Sequence, residues 1–195
     1  MLLPMPLLRM REAIFGAGEA RAGPVTLDVE PGERAALHVS SAREATIVAA
    51  MASAVVKASS GCVLIGDYDP HVQSVACKRI AALVPHEPFA LSAAEFARYI
   101  EYRVELWKLE PSGARARAAE LRRQLAGMHE ALAYPLIGAL IGMPKLLVLD
   151  RPQPVYAQQI LAAAAQCAVL STHDDAAAAR VFAPKALHFL RAVES

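Results

Sequence analysis

Short apolar runs alternate with helix-forming stretches along most of this chain, and that alternation leaves few folds open. Strands are expected at residues 35–39, 62–65, just before Pro85, at 145–149, at 168–170 and at 186–190, with a helical stretch between each consecutive pair. Strands so separated cannot meet as tight hairpins; they assemble into a mostly parallel sheet covered by helices. The N-terminal region differs. Val25-Thr26-Leu27-Asp28-Val29 alternates apolar and polar residues, and Pro31-Gly32 turns straight into the 35–39 run, so these two segments are expected to form an antiparallel strand pair. From about residue 92 to 142 no strand is expected, which marks a helical insert. Its start is signalled by Ser92 and Glu95, a capping box. No repeat or low-complexity linker divides the 195 residues, so a single α/β domain over 1–195 is expected.

Composition narrows the function classes. An apolar fraction of 55% is high enough that the chain either buries much of itself or docks on something. A net charge of +1 gives no electrostatic argument for nucleic acid, which is therefore not an expected partner. Cys62, Cys77 and Cys167 are odd in number and lack a C-x-x-C pair, as reduced thiols in a cytosolic core would be. The start Met1-Leu2-Leu3-Pro4-Met5-Pro6 is not a secretory signal, since no basic residue precedes it and Arg9 and Arg11 follow too soon. The most apolar stretch, 131–149, is broken by Pro135, Pro144 and Lys145 and is too short a clean run to span a membrane. His38, His71, His129 and His188 show no metal-ligand spacing, and Asp67, Asp69, Asp174 and Asp175 read as turn and cap residues. The arginines at 115, 117, 122 and 123 read as a solvated helix face.

Ligands of open α/β sheets gather at the carboxyl ends of strands, and there the chain carries a series of motifs. Pro31-Gly32-Glu33 leads through an apolar strand into 39–46. Pro85-His86-Glu87-Pro88 follows the short strand that ends at Pro85, and Leu125-Ala126-Gly127-Met128-His129 sits within the insert. Then come Pro144-Lys145-Leu146-Leu147-Val148-Leu149-Asp150-Arg151-Pro152 and Leu170-Ser171-Thr172-His173-Asp174. In order and spacing these resemble the phosphate loop, glutamine loop, signature motif, second nucleotide motif and histidine switch of ABC transporter nucleotide-binding domains. The resemblance implies a P-loop NTPase-like fold. It also implies a cytoplasmic subunit at the inner face of a membrane, partnered by a permease and by an ATP-binding subunit or a second copy of itself.

The motifs depart from the family where chemistry needs them. A phosphate loop uses glycines to wrap backbone N–H groups around phosphates, a lysine to reach them and a hydroxyl for Mg²⁺. Here it reads Val39-Ser40-Ser41-Ala42-Arg43-Glu44-Ala45-Thr46, with Val39, Ala42 and Glu44 at glycine positions and Ala45 at the lysine position. These loop residues and His86 are vestigial nucleotide-binding candidates. Arg43 is a substitute for the lysine only if it swings inward. Thr46 and Asp150 match the family's Mg²⁺ ligands, and His173 matches its switch histidine. Arg151 stands at the catalytic glutamate position, and a guanidinium accepts no proton near neutral pH.

Losing the phosphate contact costs about 1.5–3 kcal/mol and the Glu44 charge adds repulsion of similar order, together about a hundred- to ten-thousandfold in affinity. The expected cofactor is therefore none or weak Mg-ATP, with no catalytic residue in place. The chain is expected to be a non-hydrolysing ABC-type subunit; a slow ATPase and a soluble adaptor reusing the fold are the alternatives. Phe96, Tyr99 and Tyr102, joined by i, i+3 steps, and Trp107 are candidates for either core packing or a docking stripe on the insert.

Overall fold

Alternating side chains build the first layer. β1 (Leu8–Phe15) buries Leu8, Met10 and Ala13 and turns Arg11 and Glu12 to solvent; β2 (Ala22–Val29) buries Val25, Leu27 and Val29. β3 (Arg34–His38) follows, then α1 (Ala42–Ala52), β4 (Ser60–Ile65), α2 (Ser74–Ile80) and β5 (Ala81–Val84). The insert comprises α3 (Ala93–Trp107), α4 (Pro111–Gln124) and α5 (Glu130–Leu140). The chain closes with β6 (Leu146–Asp150), a 3-10 turn at Pro154–Tyr156, α6 (Ala157–Ala163), β7 (Ala168–His173), α7 (Ala176–Phe182) and β8 (Leu187–Phe189). This computed structural model describes residues 5–18, 21–87, 90–183 and 187–189. Met1 to Pro4, Pro88, and the Ala186 and Leu190 ends of the expected last strand lie outside the described residues.

The strands form two sheets, an antiparallel one in the order β2-β1-β4 and a five-stranded parallel one in the order β5-β6-β7-β3-β8. The mixed α/β class expected from the alternation is the one observed. The expected pairing of residues 25–29 with 35–39 is not. β2 pairs with β1, while β3 enters the other sheet between β7 and β8. The reason is that β1 supplies a matching apolar face, whereas Ala35, Ala36 and Leu37 are all buried and need neighbours on both edges.

β6 shows how the layers stack. Leu146 and Val148 face α1 and the antiparallel sheet, in a core with Met10, Leu27, Met51 and Leu170; Leu147 and Leu149 face the insert with Ile100, Tyr134 and Leu140. α1 therefore lies between the two sheets. It ends at Ala52, although the helical spacing of apolar residues in the sequence runs on from Arg43 toward Lys57. Ser53 Oγ donates to the Ala49 carbonyl at 2.8 Å and Ala54 turns left-handed at φ 59°, ending the helix before Val55, which is 56% exposed.

The insert begins as expected. Ser92 N–H donates to Glu95 Oε2 at 2.8 Å and Ser92 Oγ accepts from the Glu95 N–H at 3.3 Å. Its aromatics do not share one stripe. Each i, i+3 step rotates about 60° around a helix, so Phe96 and Tyr102 lie about 120° apart. Phe96 is buried and stacks on Tyr134 with centroids 4.0 Å apart, Tyr99 lies against Gly138 of α5, and Tyr102 is exposed. Arg115, Arg122 and Arg123 are exposed and pair with Glu101, Glu130 and Glu120. Arg117 departs from the solvated face: half-buried, it donates to the Leu140 carbonyl at 3.0 Å, at the end of α5. Of the free cysteines, Cys77 and Cys167 are buried and desolvation raises their thiol pKa, while Cys62 is exposed, outside the core where it was expected. No helix among the described residues is long and apolar enough to cross a membrane.

Candidate functional site

The carboxyl ends of β6, β7 and β3 lie side by side, and α1 starts directly above them. This is where an open α/β sheet presents a helix N-terminus to an anion. The loop here is short. α1 begins at Ala42 with Ser41 as its N-cap, and no residue from 39 to 46 takes a positive φ. Ser41 Oγ accepts the Glu44 N–H at 3.2 Å. The Glu44 carboxylate turns back over the loop, accepting from Ser40 N–H at 3.0 Å, Ser40 Oγ at 2.6 Å and Gly23 N–H at 3.2 Å. Glu44 thus supplies its own anion to the first turn of α1, where negative charge is favoured. Ala45 is fully buried and Arg43 is exposed.

The second half of the site is also engaged internally. Thr46 Oγ1 donates to Asp150 Oδ2 at 2.7 Å. Arg151 follows the strand with φ 45° and turns its guanidinium back, donating from Nε to Asp150 Oδ1 and from Nη2 to Thr46 Oγ1, each at 3.2 Å. Asp150 is only 4% exposed, so its charge needs a partner, and Arg151 provides one. His86 is placed by the same residue: its Nδ1–H donates to the Arg151 carbonyl at 3.0 Å.

The remaining candidates are close by. His173 ends β7, buried, with its ring tilted against Phe182 at 5.4 Å and with Nε2 lacking a hydrogen-bond partner among the described residues. Burial pushes its pKa down to about 4 against the opposing pull of Asp174, Asp175 and Asp150. Gly127 and Met128 lead into α5, whose N-cap His129 accepts the Ala131 N–H on Nδ1 at 3.3 Å. Beside Arg151 lies a small pocket lined by Val84, His86, Met128, Leu149 and Tyr156, about 40 Å³, room for a few waters.

Neither expected ligand fits this arrangement. A phosphate would meet the Glu44 carboxylate on the loop donors, and a divalent cation would meet a guanidinium already on Thr46 and Asp150. No group of three or more His, Cys, Asp or Glu among the described residues could hold a metal.

The backbone, unlike the side chains, has many known counterparts. An ATP-binding subunit of an ABC transporter superposes with TM-score 0.77 at 17% identity, over 95% of this chain and 86% of that one. The fold is that of an ABC transporter ATP-binding domain. Other similar structures are cbiO1 from Clostridium perfringens, part of the ABC transporter complex cbiONQ, and the dimeric bacterial ABC transporter cassette MJ0796. The first gives TM-score 0.72 at 14% identity, covering 96% of this chain and 85% of that one; the second gives 0.69 at 15%, covering 94% of each. No family model matches the sequence, and no curated protein matches it either.

Within this ABC-type fold, Thr46, Asp150 and Arg151 lie together, His86 joins them through the Arg151 carbonyl, and His173 stands opposite His38 across β7 and β3. Sequence reasoning missed what occupies the loop. Ser41-Ala42-Arg43-Glu44 has the same S-x-x-E spacing as Ser92 to Glu95, and that signal was enough to find a cap in place of a phosphate cradle. The turning back of Arg151 had no local signal.

Proposed function

We propose that the chain is an ABC-type subunit acting as one 195-residue unit that does not hydrolyse ATP, binds Mg-ATP weakly or not at all, and works by docking. Its partners are a membrane permease, at the cytoplasmic face, and an ATP-binding subunit or a second copy of itself. The observation that carries this reading is the internally satisfied site: Glu44 on Ser40 and Gly23, Arg151 on Thr46 and Asp150. A general base for water is missing at the end of β6, and the lysine position is a buried alanine.

A groove supports the docking half. Val55, Val75, Leu106 and Trp107, from the end of α1, α2 and α3, line about 490 Å³ beside edge strand β5. Val55, Val75 and Leu106 are each more than half exposed, and Lys78, Arg79 and Arg103 stand among them. An apolar floor with three cations fits a partner helix that carries an apolar stripe and acidic flanks. The similar structures include a dimeric cassette and a component of a transporter complex, the kind of assembly proposed here.

A hydrolysis assay tests the reading. Purified protein with Mg-ATP is expected to release no phosphate above background, and turnover that Asp150→Ala abolishes would overturn the proposal. Arg151→Glu alone is expected to create no activity, because Glu44 still closes the loop.

A further inference from the structure

We infer that the Arg151 guanidinium is the resident cation of this site, holding Asp150 and Thr46 together where a divalent metal would otherwise join them. The inference rests on the reading of the site given above, and it concerns the metal independently of nucleotide or partner.

Three observations converge on it. The two oxygens a metal would need, Thr46 Oγ1 and Asp150 Oδ2, stand 2.7 Å apart, and one guanidinium reaches both residues at 3.2 Å. Asp150 is buried, so its charge must be matched from inside the protein, and a planar fork of donors matches a carboxylate and a hydroxyl together. The backbone of Arg151 is held for the purpose. It sits at φ 45°, a conformation unfavourable for an L side chain, with its N–H donating to the Thr172 carbonyl at 2.9 Å and its own carbonyl accepting from His86 at 3.0 Å. A divalent ion entering between Thr46 and Asp150 would have to displace this fixed positive charge.

Nucleotide-free protein and Mn²⁺ decide the matter. Wild type is expected to leave the electron paramagnetic resonance signal of free Mn²⁺ undiminished, and its Tm is expected not to move in about 10 mM Mn²⁺. Arg151→Gly removes the guanidinium and relieves the left-handed backbone. The bare Asp150 and Thr46 should then take Mn²⁺, raising the variant's Tm by about 3–6 °C at about ten times its Kd. Asp150→Asn added to Arg151→Gly should abolish that rise. Mn²⁺ binding by wild type that Asp150→Asn removes would overturn the inference, as would a folded Arg151→Gly indifferent to Mn²⁺. If Arg151→Gly does not fold, Arg151→Asn, which also tolerates this backbone, repeats the test against the same two outcomes. Metal binding by wild type would leave the absence of ATP turnover untouched, so the two proposals fail separately.

Discussion

His173 is the residue whose environment most directly sets a pH dependence. Burial holds its pKa near 4 in the folded chain, whereas an exposed histidine titrates near about 6.5. Between those values the unfolded chain binds a proton that the folded one refuses, so stability falls as pH drops through this window. It levels off near the lower value and is unaffected above the upper one. The slope from this group is at most about 1.4 kcal/mol per pH unit. Melts of wild type and His173→Gln from pH 4 to 7 isolate it, and parallel curves for the two would contradict the assignment. The insert aromatics divide at the same scale. Tyr99→Ala is expected to cost about 2–4 kcal/mol, because the half-buried ring packs directly over Gly138. Tyr102 is 58% exposed, and Tyr102→Ala is expected to stay within about 0.5 kcal/mol of wild type by urea denaturation.

Among the elements, α1 and α3 begin in related ways, each with a serine cap and a glutamate three residues on. The α3 start was legible in the sequence because nothing competed with it. At α1 the same spacing falls in the segment that resembles a phosphate loop, so the cap and the loop are competing readings of the same residues. Glu44→Ala, which removes the acceptor for Ser40 and Gly23, is expected to destabilise the protein by about 1–2 kcal/mol. A stability unchanged in urea would mean that the carboxylate does not hold the loop. Leu8 and Met10 of strand β1 follow a period of two, but the bulge at Glu12, with φ 47°, shifts the next buried residue to Ala13 and breaks the alternation. Arg151 was legible as a lost base and not as a new clamp, since the turn of its side chain depends on contacts with α1 more than a hundred positions away.

At the level of the whole molecule, the parallel sheet was legible because helices between strands permit little else. Which strand neighbours which was not, because pairing β2 with β1 and seating β3 between β7 and β8 depend on long-range burial that no local pattern records. The surface proposed for docking differs from the aromatic stripe read in the sequence, because packing buries Phe96 and leaves the basic, apolar groove around Leu106 and Trp107 open. Lys78→Glu combined with Arg79→Glu is expected to preserve the melting curve and to abolish recovery of a membrane partner from a verified complex, while Tyr102→Ala preserves both. Unchanged recovery with the charge-reversed groove would place docking elsewhere.

In the function proposed above, the protein's own ions fill this ABC-type site. Calorimetric titration of the purified chain with Mg-ATP tests it most directly. The expected result is no saturable heat below about millimolar nucleotide, as the lost contacts and the Glu44 carboxylate require. A micromolar dissociation constant, or nucleotide carried through purification, would contradict it and would make Arg43 the first residue to mutate.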